Sequence, residues 1–162
     1  MKDSKDQIIK RSGEILKLIE SSKNAVLTSI DEEGFPNARM MFARVHEGVR
    51  THYFTTNVSS HHTNQLIANP KACVYYFNTR YYKGLTLMGT VEVCTDFKTR
   101  EKLWQTGDER YYPNGIEDED YCVLKFTVER GRYYYGMGGF TFTLDELEEV
   151  INKQNNLNQR IL

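Results

Sequence analysis

Between Asn24 and Val45 the chain reads "NAVLTSI", then "DEEGFP", then "NARMMFARV". Two short apolar-rich segments flank six residues that carry Gly34 and Pro36 in breaker positions, the pattern of a hairpin. The theme recurs. "HEG" turns the chain into "VRTHYFTT", and the tyrosine-rich "TRYYKG" joins "ACVYYFN" (72–78) to "GLTLMGTVEV" (84–93). "YCVLKFTVE" and "RYYYGM" are expected to form a further hairpin around Arg130-Gly131. Strands linked by tight turns pair antiparallel and must bury a common face, so the expected class is mainly β, an antiparallel barrel with flanking helices.

Helical spacing places Ile8, Ile15, Leu18 and Ile19 on one face of a helix over residues 5–22. Ser59 or Ser60 caps a second helix that ends before Pro70. Asp96 caps a third, closed by Gly107. A capping box from Thr143 to Glu146 opens a fourth, with Leu144, Leu147, Val150 and Ile151 on its inner face. No repeat or linker interrupts the 162 residues, which read as one domain over 1–162.

The formal net charge of −1 opposes a broad nucleic-acid or membrane surface. No apolar run approaches the roughly 18 residues of a membrane span. The charged start "MKDSKDQIIKRSGEILKLIE" lacks a signal core, so a cytoplasmic location is expected. Cys73, Cys94 and Cys122 are spaced like buried thiols rather than a disulfide frame or zinc site. Aromatic residues are numerous, with 11 Tyr, 8 Phe and 1 Trp. Tyr75, Tyr76, Phe77, Tyr81, Tyr82, Trp104, Tyr111 and Tyr112 exceed what one small barrel buries, so a homodimer is expected.

The chain contains no GxSxG elbow, P-loop, HExxH or dinucleotide fingerprint. "GMGG" (136–139), Gly84 and Gly89 read as strand ends or bulges, and the acidic run Glu117–Asp120 as a solvated loop. Adjacent helical residues point about 100° apart, so His61 and His62 do not chelate one metal ion. They stand instead at a strand-to-helix junction behind Ser60, where open N–H groups form an anion seat.

From about Gly13 to Tyr135 the sequence resembles the pyridoxamine 5′-phosphate oxidase-like, flavin-binding split-barrel superfamily, most closely its general-stress-protein branch. "GFPNARMM" (34–41), "HYFTTNVSSHHTNQLIANPKACVYYF" (52–77), "LMGTVEV" and "KLWQTGDERYYPNGIEDEDYCVLKFTVERGRYYY" carry the resemblance, in that order. It implies a six-stranded antiparallel Greek-key split barrel and a homodimer with two FMN sites at the subunit interface. It also implies a small-molecule electron donor or acceptor. Arg39, Met40 and Met41 would run beside the flavin, and Thr55, Thr56 and Ser60 would meet its phosphate. Tyr134 or Tyr135 would approach the ring. The chemistry agrees: a phosphate dianion suits a guanidinium, hydroxyls and helix-end N–H groups, which these residues supply if the second and third strands pair.

The sequence departs from the family pattern in three respects. His61 and His62 replace a basic pair or lysine, Gly84 stands near an expected glutamine, and nothing after Tyr135 matches the substrate residues of the vitamin B6 oxidase. The resemblance therefore implies a flavin-dependent oxidoreductase or general-stress-type protein rather than that oxidase. Beside a phosphate, the His62 pKa is expected to rise, so that affinity weakens in alkali. The alternative is a non-enzymatic split barrel for haem or another planar ligand, with His52, His61 or His62 as axial ligand.

Overall fold

The computed structural model describes residues 4–159, and the outermost residues of the expected 1–162 domain lie outside the described residues. In chain order the elements are α1 (Ser4–Ser21), β1 (Asn24–Ile30), β2 (Pro36–Phe42), β3 (Val45–Glu47), β4 (Thr51–Asn57), α2 (His61–Ala68) and β5 (Lys71–Asn78). There follow β6 (Lys83–Cys94), α3 (Phe97–Leu103), β7 (Tyr121–Tyr135), β8 (Gly138–Thr143) and α4 (Leu144–Gln159), with two 3₁₀ turns between α3 and β7.

Every strand pairing is antiparallel, in the order β2-β1-β5-β6-β7-β4-β3, with β8 added to β7. Six of these strands make the curled sheet of a split barrel. β2 and β4 approach each other across the split but do not pair. The two strands beyond the expected six are β3, a three-residue edge, and β8. β1 alternates strictly, turning Ala25, Leu27 and Ser29 inward. Val74, Tyr76, Leu85, Leu87, Leu124, Phe126 and Phe54 meet them in one core, closed by the apolar faces of α1 and α4. A smaller cluster of Tyr53, Leu103, Tyr112, Tyr121 and Val123 lies beneath α3 and the 3₁₀ turns.

The hairpin expected at Arg130-Gly131 is absent, and β7 runs unbroken for 15 residues. Two features look like a turn in sequence but serve the strand. Glu129 is the extra residue of a bulge opposite Met88/Gly89, and Gly131 leaves room for the Phe142 ring of β8. The reversal comes at Gly136, whose φ of +50° suits glycine. Gly89 is also required by its neighbours, since a Cβ there would lie 1.9 Å from the carbonyl oxygen of Thr127. That oxygen belongs to the backbone and cannot rotate away. Gly89→Ala should therefore cost about 3 kcal/mol, the upper range for overpacking, measured as a lower urea midpoint.

Other differences are local. Asp96 caps α3 by accepting from the Thr99 N–H at 2.9 Å, but the helix stops before Trp104 rather than at Gly107. Trp104 leaves the helix to set its ring edge-on to Tyr121, with centroids 5.3 Å apart. The capping box Thr143–Glu146 forms as expected. Cys94 and Cys122 are buried, whereas Cys73 is only half-buried. Of the aromatics assigned to an interface, Tyr76 and Tyr112 are buried and Trp104 half-buried, while Tyr75, Phe77, Tyr81, Tyr82 and Tyr111 remain exposed. No helix among the described residues is long and apolar enough to cross a membrane.

A candidate anion-binding cleft at the split of the barrel

The gap between β2 and β4 is a cleft of about 320 Å³. Register decides what enters it. Arg39 pairs with Leu27 and Met41 with Ala25, so both point to the inner side, while Met40 and Phe42 point outward. Across the gap, Thr55, Thr56 and Asn57 end β4. Asn24, Met40, Phe42, Arg44, Asp108, Tyr111 and Tyr112 complete the lining. The fold thus brings together Arg39, Met40, Met41, Thr55 and Thr56 among the residues expected from sequence. It does so by opposing two unpaired strand edges rather than by pairing them.

Ser60, His61 and His62 open α2 beside this cleft but do not line it. The Ser60 hydroxyl donates back to the Asn57 carbonyl at 2.8 Å and meets the Thr63 hydroxyl at 2.7 Å. Its role here is to close the turn. His61 is exposed and lines a separate hollow with Asp31, Glu33 and Asn64. His62 is buried: its Nδ1 contacts the Arg39 guanidinium, and its Nε2 lies 3.1 Å from Thr56 Oγ1. Burial, then the charges of Arg39 and His61, push its pKa down to about 4. In the ligand-free chain the His62 pKa is thus pushed down by burial and by Arg39, so the rise expected beside a phosphate would start from a neutral ring.

Tyr134 and Tyr135 are not brought to the cleft. Tyr134 lies on the outer face of β7 beside Gly84, and Tyr135 packs on α1, under the Arg11 guanidinium and donating to Gln7 at 2.9 Å. His52, a candidate axial ligand, is a core residue with both nitrogens engaged. Nε2 donates to the Val49 carbonyl at 3.0 Å, and Nδ1 accepts from the Tyr76 hydroxyl at 2.8 Å.

Three features of the site were missed in the sequence. Arg44 pairs with buried Asp108 at 2.7 Å, which leaves Arg39 as the lining cation without an acid partner among the described residues. Asn24 Oδ1 is a buried acceptor without a hydrogen-bond partner among the described residues. Asp120, expected in a solvated loop, accepts from the Ser59 N–H (2.7 Å), the Ser59 hydroxyl (2.9 Å) and Asn57 Nδ2 (2.6 Å). It anchors the turn that leads into α2, and these hydrogen bonds, the Ser59 N–H foremost, hold its pKa below the usual carboxylate value.

This donor set fits a phosphorylated planar cofactor. Arg39 and Thr55 can meet an anion, Asn24 can accept from a hydroxylated chain, and Met40, Phe42 and Tyr111 offer apolar surface.

The profile of the family described as pyridoxamine 5′-phosphate oxidase matches residues 12–135. The chain is similar to a solved protein of Clostridium acetobutylicum described as related to general stress protein 26 of B. subtilis, in the pyridoxinephosphate oxidase family. The two are 38% identical, with 86% of this chain and 98% of that chain covered and a TM-score of 0.79. An FMN-binding, pyridoxamine 5′-phosphate oxidase-related protein of Nostoc punctiforme shares the fold at 10% identity, with coverages of 84% and 86% and a TM-score of 0.61. A heme-binding protein of Mycobacterium smegmatis shares it at 17% identity, with coverages of 91% and 60% and a TM-score of 0.66. No curated protein is a significant match to the chain.

Proposed function

Since the chain belongs to the pyridoxamine 5′-phosphate oxidase family, we propose that it is a homodimeric FMN-binding protein that acts as a flavin-dependent oxidoreductase of the general-stress type. The observation that carries this reading is Arg39, a cation without an acid partner among the described residues, facing Thr55 and Thr56 across the split. Arg39 and Thr55 would hold the phosphate, Asn24 would accept from the ribityl chain, and Met40 and Met41 would flank the cofactor. Bound flavin supplies hydride or electron transfer, and the chain supplies binding, orientation and exclusion of water.

The outer face supports the dimeric reading. Met40 is 70% exposed and Phe42 56% exposed at the lip of the cleft, and Tyr75 stacks on Phe77 at 5.9 Å two strands away. A second copy placed on this face would cover both the apolar patch and the open side of the cleft. It could also bring its own Tyr134 toward the ring, which no single chain does. Sedimentation of protein mixed with FMN tests this directly. The expected result is a dimer at micromolar concentration that carries flavin with it. A flavin-free monomer would refute the proposal.

A further inference from the structure

We infer that His62 is a positioning residue for Arg39: its ring accepts from the guanidinium at Nδ1, donates from Nε2 to Thr56, and so aims Arg39 into the cleft. The inference rests on the flavin reading, and it assigns to His62 the placing of a neighbouring charge rather than a charge of its own.

The proton assignment follows from what guanidinium can do. Arginine has donors only, so the Nδ1 that meets Arg39 must be the unprotonated nitrogen, and Nε2 carries the hydrogen. Nε2 then points at Thr56 Oγ1, 3.1 Å away, and the ring is fixed at both ends. His62 is 5% exposed, so water does not compete for either contact. Arg39, by contrast, stands on an edge strand whose residues are mostly exposed, and its long side chain has no acid partner among the described residues. A fixed acceptor reduces the freedom Arg39 loses when an anion arrives, which favours a phosphate ester over the same ring without phosphate. Lysine at this position would add charge, but it has no acceptor and would face Arg39 as a like charge.

Affinities for FMN and riboflavin, measured on wild type, His62→Leu and His62→Asn, test the assignment. Asparagine keeps an acceptor close to the place of Nδ1, and leucine keeps only bulk. Losing one acceptor of a charged donor should weaken FMN binding to His62→Leu about tenfold more than riboflavin binding, with most of the loss recovered in His62→Asn. In the ligand-free protein, nitrogen NMR of the His62 ring should show the Nε2–H tautomer, with an Nδ1 shift that moves in Arg39→Ala. Equal losses for the two flavins, no recovery in His62→Asn, or an Nδ1–H ring would each overturn the inference. A wild type that bound neither flavin would refute the flavin reading, and the ring tautomer would then decide the orientation of Arg39 by itself.

Discussion

Arg39→Ala is expected to weaken FMN binding by about 2–4 kcal/mol while leaving riboflavin affinity nearly unchanged, the range for losing one partner of a desolvated charge pair. The size follows from the cleft. Arg44 is already paired with buried Asp108, so removing Arg39 leaves a bound phosphate with hydroxyls and amides but no free cation among the described lining residues. Riboflavin lacks the phosphate and serves as the internal control. Fluorescence titration of both ligands separates the outcomes, and equal losses would place Arg39 away from the phosphate.

Acid should destabilise the fold through His52. Its pKa is depressed from the ordinary 6.5 to about 4, chiefly by burial, while the bond from its ring to the Val49 carbonyl opposes the shift. His46 stacks on it at 6.0 Å and lowers the pKa further, and Tyr76 and Phe126 close the remaining sides without charge. The unfolded chain takes up the proton first. Stability is therefore complete above about 6.5 and falls as the pH approaches 4, a loss of about 3 kcal/mol from this ring alone. Urea unfolding of wild type and His52→Gln across that window should show a shallower pH slope in the variant, whatever its stability at neutral pH. Parallel slopes would mean that His52 is not held neutral.

Most strands were legible because each is a short apolar-rich run bounded by turn or cap residues, and β1 and β5 also alternate with a period of two. β1, β2, β4, β5 and β6 fall close to their expected positions for that reason. β7 did not, because the charges of "ERGR" mimic a turn when the bulge at Glu129 and the ring of Phe142 are unseen. The extra strand β8 shares the cause, since its glycines read as punctuation. At the site, the chemistry of Arg39, Thr55 and Thr56 was readable from residue type and order. Their meeting across an unpaired split was not, because register and curvature decide it. The neutral state of His62 depends on burial beneath Arg39, a tertiary property that leaves no mark in sequence. Asn24 and Asp108 carry no local signal either, and Tyr111 and Tyr112, read from sequence as interface aromatics, line the cleft.

FMN held in the split of this barrel would travel with the protein through purification. The most direct measurement is the absorption spectrum of freshly purified protein, with the mass of whatever small molecule is released on denaturation. Flavin bands and the mass of FMN are predicted. A haem-type spectrum, or a released planar molecule without phosphate, would show that the split does not hold FMN.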